Sequence, residues 1–318
     1  MATTQTVAEV PSAVNNFYVR TMLKAARPLL VHTRWAQVKD IPRNSSEAIR
    51  FRRYTLLSAA TTALTEGTTP SGSTLTVTNV TSTVLQYGDF IQLSDYLQFT
   101  TLDPLITELS DMLGQQAGNT LDQLCRNVIN AGTTVQYASS ATSRATVTAA
   151  MTISRDEVRE AVRTLQNNNA EKLTSMVNPD TGFNTSPLNA CYVAISSPST
   201  LYDLKNATGF IPVEQYANKS NVMDGEAGAM DDVRFVVTTN ASTFASTVTV
   251  HATLVLAKNY YAISRVSGEA MKMITKPLGS AGSADPLDQR STIGWKASFI
   301  TTRLNENFCV RIEHGVTA

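Results

Sequence analysis

The chain has 318 residues with 26 basic and 26 acidic side chains, so its formal net charge is zero and bulk charge excludes a general polyanion binder. Hydrophobic residues make up 42% and charged residues 16%, below the usual quarter for a globular domain, and Thr, Ser, Asn and Ala fill the difference. Neighbours can cover such a surface without stripping water from many ions, and the length supports one elaborate domain or two.

Residues 1–45 read as an arm. Phe17 to Trp35 mixes basic and apolar residues without a clean period, and Pro28 and Pro42 would break a long helix. Phe17, Tyr18, Leu29, Leu30 and Trp35 are expected to lie on some other surface, because the arm offers none of its own. MATTQTVAEVPSAV carries no charged segment ahead of an apolar core, so no signal peptide is read there. No apolar run approaches the roughly 20 residues of a membrane span, so no membrane partner is expected.

Ala48 to Leu57 reads as a strand with Ile49, Phe51 and Arg53 on one face, followed by a polar Thr/Ser/Gly/Pro loop over 58–74. Residues 73–93 alternate again, so the two strands and their loop predict an extended β-hairpin. Isolated hairpins are marginal in water, and this one is expected to rest on a partner molecule.

Charge is unevenly placed. Residues 1–54 carry nine Lys and Arg against Glu9, Asp40 and Glu47. Residues 55–125 carry no cation and seven acids: Glu66, Asp89, Asp95, Asp103, Glu108, Asp111 and Asp122. Adjacent blocks of opposite sign favour head-to-tail docking between copies, with pairing inside one chain as the alternative.

Asp103 and Pro104 predict the start of the longest helix, as N-cap and first helical residue, and Gly132 its end. Leu105, Leu109, Met112, Leu113, Ala117, Leu121, Leu124, Cys125, Val128 and Ile129 share one face. About 28 residues at 1.5 Å each make a rod of roughly 40 Å, and Gly114 and Gly118 favour a bend. A short β stretch near 143–152 comes next, then a capping box, Ser154 to Glu157, ahead of Val158, Ala161, Val162 and Leu165. Cys191–Ile195, Val233–Val237, Val250–Ala257 and Tyr260–Val266 read as strands and Ser199–Lys205 as a short helix. Residues 277–288 read as a loop. Ile293–Thr302 and Asn307–His314 predict a final antiparallel pair, completing an α+β order without internal repeats.

Catalytic patterns are missing. His32, His251 and His314 stand far apart, and the sequence holds no HExxH, GxSxG, GxxxxGK[ST] or GxGxxG. Gly225–Gly228 and Gly279–Gly282 are turns, and Asp231, Asp232, Asp285 and Asp288 are read as turn acids that bond their own backbone. Cys125, Cys191 and Cys309 lie apart in apolar settings, which fits buried free thiols made in a reducing cytosol. No cofactor, metal site or enzyme activity is expected. Arg50, Arg52 and Tyr54 share a strand face that could meet phosphates; ion pairing to a neighbour is the preferred reading.

The chain resembles the major capsid proteins of N-four-type podophages, within the Hong Kong 97-type capsid fold. The resemblance rests on ARPLLVHTRWAQVKDIP (26–42), IRFRRYTLLSAATTALTEGTTP (49–70), QYGDFIQLSD (86–95), MDGEAGAMDDVRFV (223–236), VHATLVLAKNYYAI (250–263) and KPLGSAGSADPLDQRSTIGWKASFITTRLNENFCVRIE (276–313). It implies an N-terminal arm at 1–45, an extended loop at 46–98 and a peripheral domain with a spine helix at 99–150. An axial domain at 151–268 and a return to the peripheral domain at 269–318 complete the implied order.

Family members form hexamers and pentamers that close into an icosahedral shell around double-stranded DNA. A virion location after assembly in the host bacterial cytoplasm follows, with a portal protein and scaffolding and decoration proteins as partners. Some relatives weld subunits through a lysine of the extended loop, which residues 54–171 do not contain. A long scaffolding segment does not fit before residue 45, so a separate scaffolding protein, or none, is implied. The inter-subunit contacts expected are Arg34, Trp35, Arg50, Arg52, Arg53, Glu66, Asp89 and Asp95. The alternatives are an encapsulin-type nanocompartment shell and a monomeric Thr-rich binding or adhesin domain.

Overall fold

The computed structural model describes residues 22–26, 29–55, 57–100, 105–179, 183–216, 222–267, 271–280, 282 and 285–317. The expected cap Asp103, Pro104, and the arm residues Phe17, Tyr18 and Pro28 lie outside them.

In chain order the strands are β1 (Gln37–Val38), β2 (Ala48–Tyr54), β3 (Val77–Thr83), β4 (Leu85–Ser94), β5 (Val135–Tyr137), β6 (Leu173–Pro179), β7 (Phe183–Ser196) and β8 (Ile211–Pro212). Then come β9 (Glu226–Met230), β10 (Val233–Val237), β11 (Thr243–Ala245), β12 (Thr249–Leu256), β13 (Tyr261–Ser264), β14 (Lys272–Lys276), β15 (Arg290–Arg303) and β16 (Cys309–His314). The helices are α1 (Asp95–Thr100), α2 (Leu105–Asn130), α3 (Arg155–Asn167) and α4 (Pro198–Asn206), with a further helical turn over 22–26.

Among the described residues, β15 organises a five-stranded sheet. It pairs with β4 along Arg290–Phe299, with β14 along Thr292–Lys296 and with β13 along Ile300–Arg303. Inward positions Ile293, Trp295, Ala297 and Phe299 alternate with the opposite face, as a half-covered sheet requires. A second, mixed sheet runs β5-β16-β12-β7-β10-β9-β8, with β11 on β12 and β6 on β7. The hairpin β2–β3 stands apart, in register from Ala48 opposite Thr83 to Tyr54 opposite Val77.

Helix α2 lies over the main core and buries Leu113, Ala117, Leu121, Cys125 and Ile129 beside Trp295, Leu254 and Tyr261. The helix runs continuously through Gly114 and Gly118. Met112, expected on the buried face, is exposed instead. At α3 the capping box is present: Ser154 accepts from the Asp156 N–H, Glu157 reaches back to Ser154, and Val158, Ala161, Val162 and Leu165 are buried. These four join Tyr192, Phe235, Val255 and Ile312 in a second core against the mixed sheet.

Three expectations are corrected. β15 and β16 do not pair: after Arg303 a 3-10 turn over Glu306–Phe308, with the Asn305 side chain accepting from the Asn307 N–H, redirects the chain. β16 then inserts between β12 and β5 of the other sheet, where Val310 and Ile312 are buried. The β stretch near 143–152 is instead a 3-10 turn, because Thr146 Oγ1 accepts the backbone N–H groups of Thr142 and Ser143.

The third correction concerns the arm. Its last part belongs to this chain's own core, where Met22, Val31, Trp35 and Ala36 pack beside α2.

Candidate functional site

The eight expected contact residues fall into three places. Arg34 and Trp35 are interior. Trp35 is 3% exposed, and the Arg34 guanidinium donates from Nε to Leu30 O (3.0 Å) and from Nη1 to Asp224 O (2.7 Å). Their side chains are engaged within the chain.

Asp89 and Asp95 sit along β4 and α1. Asp89 stands opposite Trp295 and accepts from Gln116 Nε2 at 2.6 Å, while Gln116 Oε1 accepts from Trp295 Nε1 at 3.1 Å. The Gln116 amide and then the Phe90 N–H hold the exposed Asp89 carboxyl below its ordinary range. Asp95 Oδ1 accepts the Tyr96 N–H at 2.6 Å. Glu66 is exposed in the hairpin loop, beside Leu64, which is 79% exposed.

Arg50, Arg52 and Arg53 come together at the root of the hairpin. β2 alternates: Ile49 and Phe51 turn inward onto Ile41, Ala262, Val80 and Leu304. Beyond this small anchor, Thr55 and residues 57–79 are all exposed. Against the body, β2 bounds an open groove of about 940 Å³.

Among the described residues four cations line the groove, Lys39, Arg50, Arg52 and Arg53, and no carboxylate does. Lys39 Nζ stands 5.8 Å from the Phe51 ring centroid, and Arg53 Nη1 donates to Asn305 Oδ1 at 3.1 Å. Six amides complete the wall: Gln37 of β1, Asn168 and Asn169 after α3, Asn259 before β13, and Asn305 and Asn307 between β15 and β16. Asn169 (φ 53°) and Asn259 (φ 61°) adopt the left-handed conformation that tight turns demand and that Asn tolerates better than most residues. The groove therefore presents directional amides and positive charge around an apolar floor, a setting in which guanidinium groups can meet anionic oxygens.

Sequence reasoning missed two features. The Asp122 carboxylate clamps the last part of the arm: Oδ1 accepts the N–H groups of Val31 (2.8 Å) and His32 (2.7 Å). Its Oδ2 meets His32 Nδ1 at 2.8 Å and Asn240 Nδ2 at 3.2 Å. The readable signal was spacing, since Asp122 shares the apolar face with Gly118, Cys125 and Ile129. The second feature is the Gly114/Gly118 pair, against which the 22–26 turn lies backbone to backbone.

Among the described residues no group of three or more His, Cys, Asp and Glu side chains converges to hold a metal ion, and no helix is long and apolar enough to cross a membrane. All three cysteines are free and buried; burial pushes the Cys191 thiol up to about 11 and Cys309 to about 12.

A family model described as "Phage capsid protein" matches residues 76–312, well over half of the chain. Among solved structures, the capsid of Ralstonia phage GP4 is 13% identical with a TM-score of 0.68, covering 91% of this chain and 89% of that one. The cyanophage Pam1 capsid is 15% identical with a TM-score of 0.66, covering 92% of each chain. The capsid of cyanophage P-SCSP1u is 13% identical with a TM-score of 0.62, covering 91% of this chain and 89% of that one. At such identities the likeness is one of fold. No curated protein matches the chain.

Proposed function

The chain belongs to the phage capsid protein family, with the α+β, Hong Kong 97-type fold of tailed-phage heads, and from that premise we propose that it closes hexamers and pentamers into an icosahedral head around double-stranded DNA. It is a structural major capsid protein, and its place is the virion. The family match favours a phage head over the nanocompartment and the monomeric binding domain.

The observation that carries the assembly reading is the hairpin. Residues 57–79 lie exposed, with Leu57, Leu64 and Leu75 each more than half uncovered, so the body stabilises little beyond the anchor at Ile49 and Phe51. Neighbouring copies supply the missing surface. Arg50, Arg52, Arg53, Glu66 and Asp95 are the contacts at which copies meet; Asp89 adds charge to that face while held by Gln116.

The reading takes residues 1–45 as the arm, 46–98 as the extended loop, 99–150 as the peripheral domain, 151–268 as the axial domain and 269–318 as the return, whose last strand joins the axial sheet. Assembly takes place in the host cytoplasm beside a portal protein, with scaffolding and decoration proteins as further partners. The chain performs no catalytic step and carries no cofactor.

Deleting residues 58–74, or changing Arg50, Arg52 and Arg53 to Glu, is expected to leave a folded, soluble protomer that forms no shell. Normal particles from both variants in electron micrographs would refute the reading.

A further inference from the structure

Helix α1 is an element without a core. Among its six residues, Asp95–Thr100, none is buried, although Tyr96 is 75% and Phe99 81% exposed. Two aromatic rings held in water on a defined helix face lose the burial that such side chains normally contribute. Acids stand beside α1: Asp95 is its first residue and donates its N–H to Gln289 O at 3.0 Å, next to the loop that carries Asp285 and Asp288. The nearby cation Arg290 is engaged by Asp285 at 3.6 Å.

The basic groove has the opposite character. It combines the four cations with an apolar floor of Phe51, Val80, Leu304 and Phe308, and its rim carries side-chain amides, of which Asn305 and Asn168 are already bonded to Arg53 and to Asn307 O. Strand β15 separates the two surfaces. Ser94, which adjoins α1, pairs with Arg290 at one end of β15, whereas Leu304 and Asn305 follow Arg303 at the other. The fourteen residues of β15 span about 40 Å at roughly 3.3 Å each, so one chain cannot bring its own helix into its own groove.

We propose that α1 of one copy seats Tyr96 and Phe99 in the basic groove of the next copy, with Asp95 facing Lys39 and the arginines of β2. The contact is head-to-tail: the receiving copy still presents its own α1, so the interaction repeats around a ring and closes when the rotation allows. A recess of about 940 Å³ with amide walls suits a short helix with two rings better than it suits the broad cylinder of a DNA duplex. The proposal rests on the shell reading and names one of its contacts.

The test uses assembled particles of the full chain. Thr100→Cys, at the exposed end of α1, combined with Asn307→Cys is expected to give disulfide-linked ladders on oxidation, while either variant alone gives none, because the three native thiols are buried. As a check without mutation, zero-length carboxyl–amine coupling of wild-type particles built from mixed light and heavy copies is expected to join Asp95 to Lys39 between copies. Phe99→Ser is expected to lower the assembled fraction at least tenfold while leaving the protomer folded.

Shells that form without either cross-link would overturn the docking and leave the shell reading standing. A groove protected by added duplex DNA, with no link between copies, would overturn it as well. A chain that never assembles would overturn both.

Discussion

His32 Nδ1 stands 2.8 Å from Asp122 Oδ2, and both side chains are fully buried. The same carboxylate takes two backbone N–H groups and the Asn240 amide, so one residue of α2 fixes the last part of the arm. Asp122→Ala takes the carboxylate from four groups, the two backbone N–H groups, the His32 ring and the Asn240 amide, and a buried donor left unpaired costs about 1–3 kcal/mol. Chemical denaturation should show a loss of that order, and limited proteolysis should cut first near residues 29–36. An unchanged midpoint would show that the clamp carries no weight.

Gly114 and Gly118 provide the second hold on this segment. A Cβ at Gly114 would stand 2.5 Å from Met22 O, and one at Gly118 would stand 2.7 Å from Ala26 O. Alanine is the better helix former by about 1 kcal/mol, so helix propensity alone favours both substitutions. Steric conflict with backbone atoms outweighs that gain, and Gly114→Ala or Gly118→Ala is expected to destabilise the protein by about 1–3 kcal/mol. A rise in melting temperature in either variant would contradict the close approach.

Acid should weaken the mixed sheet. His314 is buried between β12 and the segment after it, with Nε2 at 2.9 Å from Thr253 Oγ1 and Nδ1 at 2.7 Å from Gly315 O, and its ring stacks on that of His251 at 6.3 Å. Burial first, and the neighbouring His251, depress its pKa to about 4, against the opposing pull of the Gly315 carbonyl and the more distant Asp203 and Glu157. Burial lowers His251 as well.

A histidine depressed in the folded state binds its proton more readily when unfolded, so its stabilising contribution is present above pH 6.5 and is lost as pH falls from there to about 4. The loss at His314 is on the order of 3 kcal/mol. Unfolding midpoints measured from pH 7 to 4 should fall steeply in the wild type and less in His314→Gln. Equal slopes would exclude His314 as the source.

Several elements were legible before any coordinates. The Ser154–Glu157 box placed α3 and its four buried residues, and alternation around Phe51 and Val80 placed the hairpin, because both patterns are local. β16 was readable as a strand but not as a member of the other sheet, since only the turn at Asn305 and contacts with β12 decide its partner. Arg34 and Trp35 lie in a segment without period, and their burial depends on the glycines and Asp122 of α2, some ninety residues away. The groove was half visible. Its arginines fall within four residues of sequence, but its asparagines come from three separate turns that only the fold brings together.

The mass of the purified wild-type chain in solution, by light scattering with electron micrographs of the same sample, bears most directly on whether this protomer is made to be completed by its own copies. Closed shells of many subunits are expected to form from the chain alone or with a scaffolding protein. A monodisperse 34.4 kDa species persisting at high concentration under both conditions would contradict it.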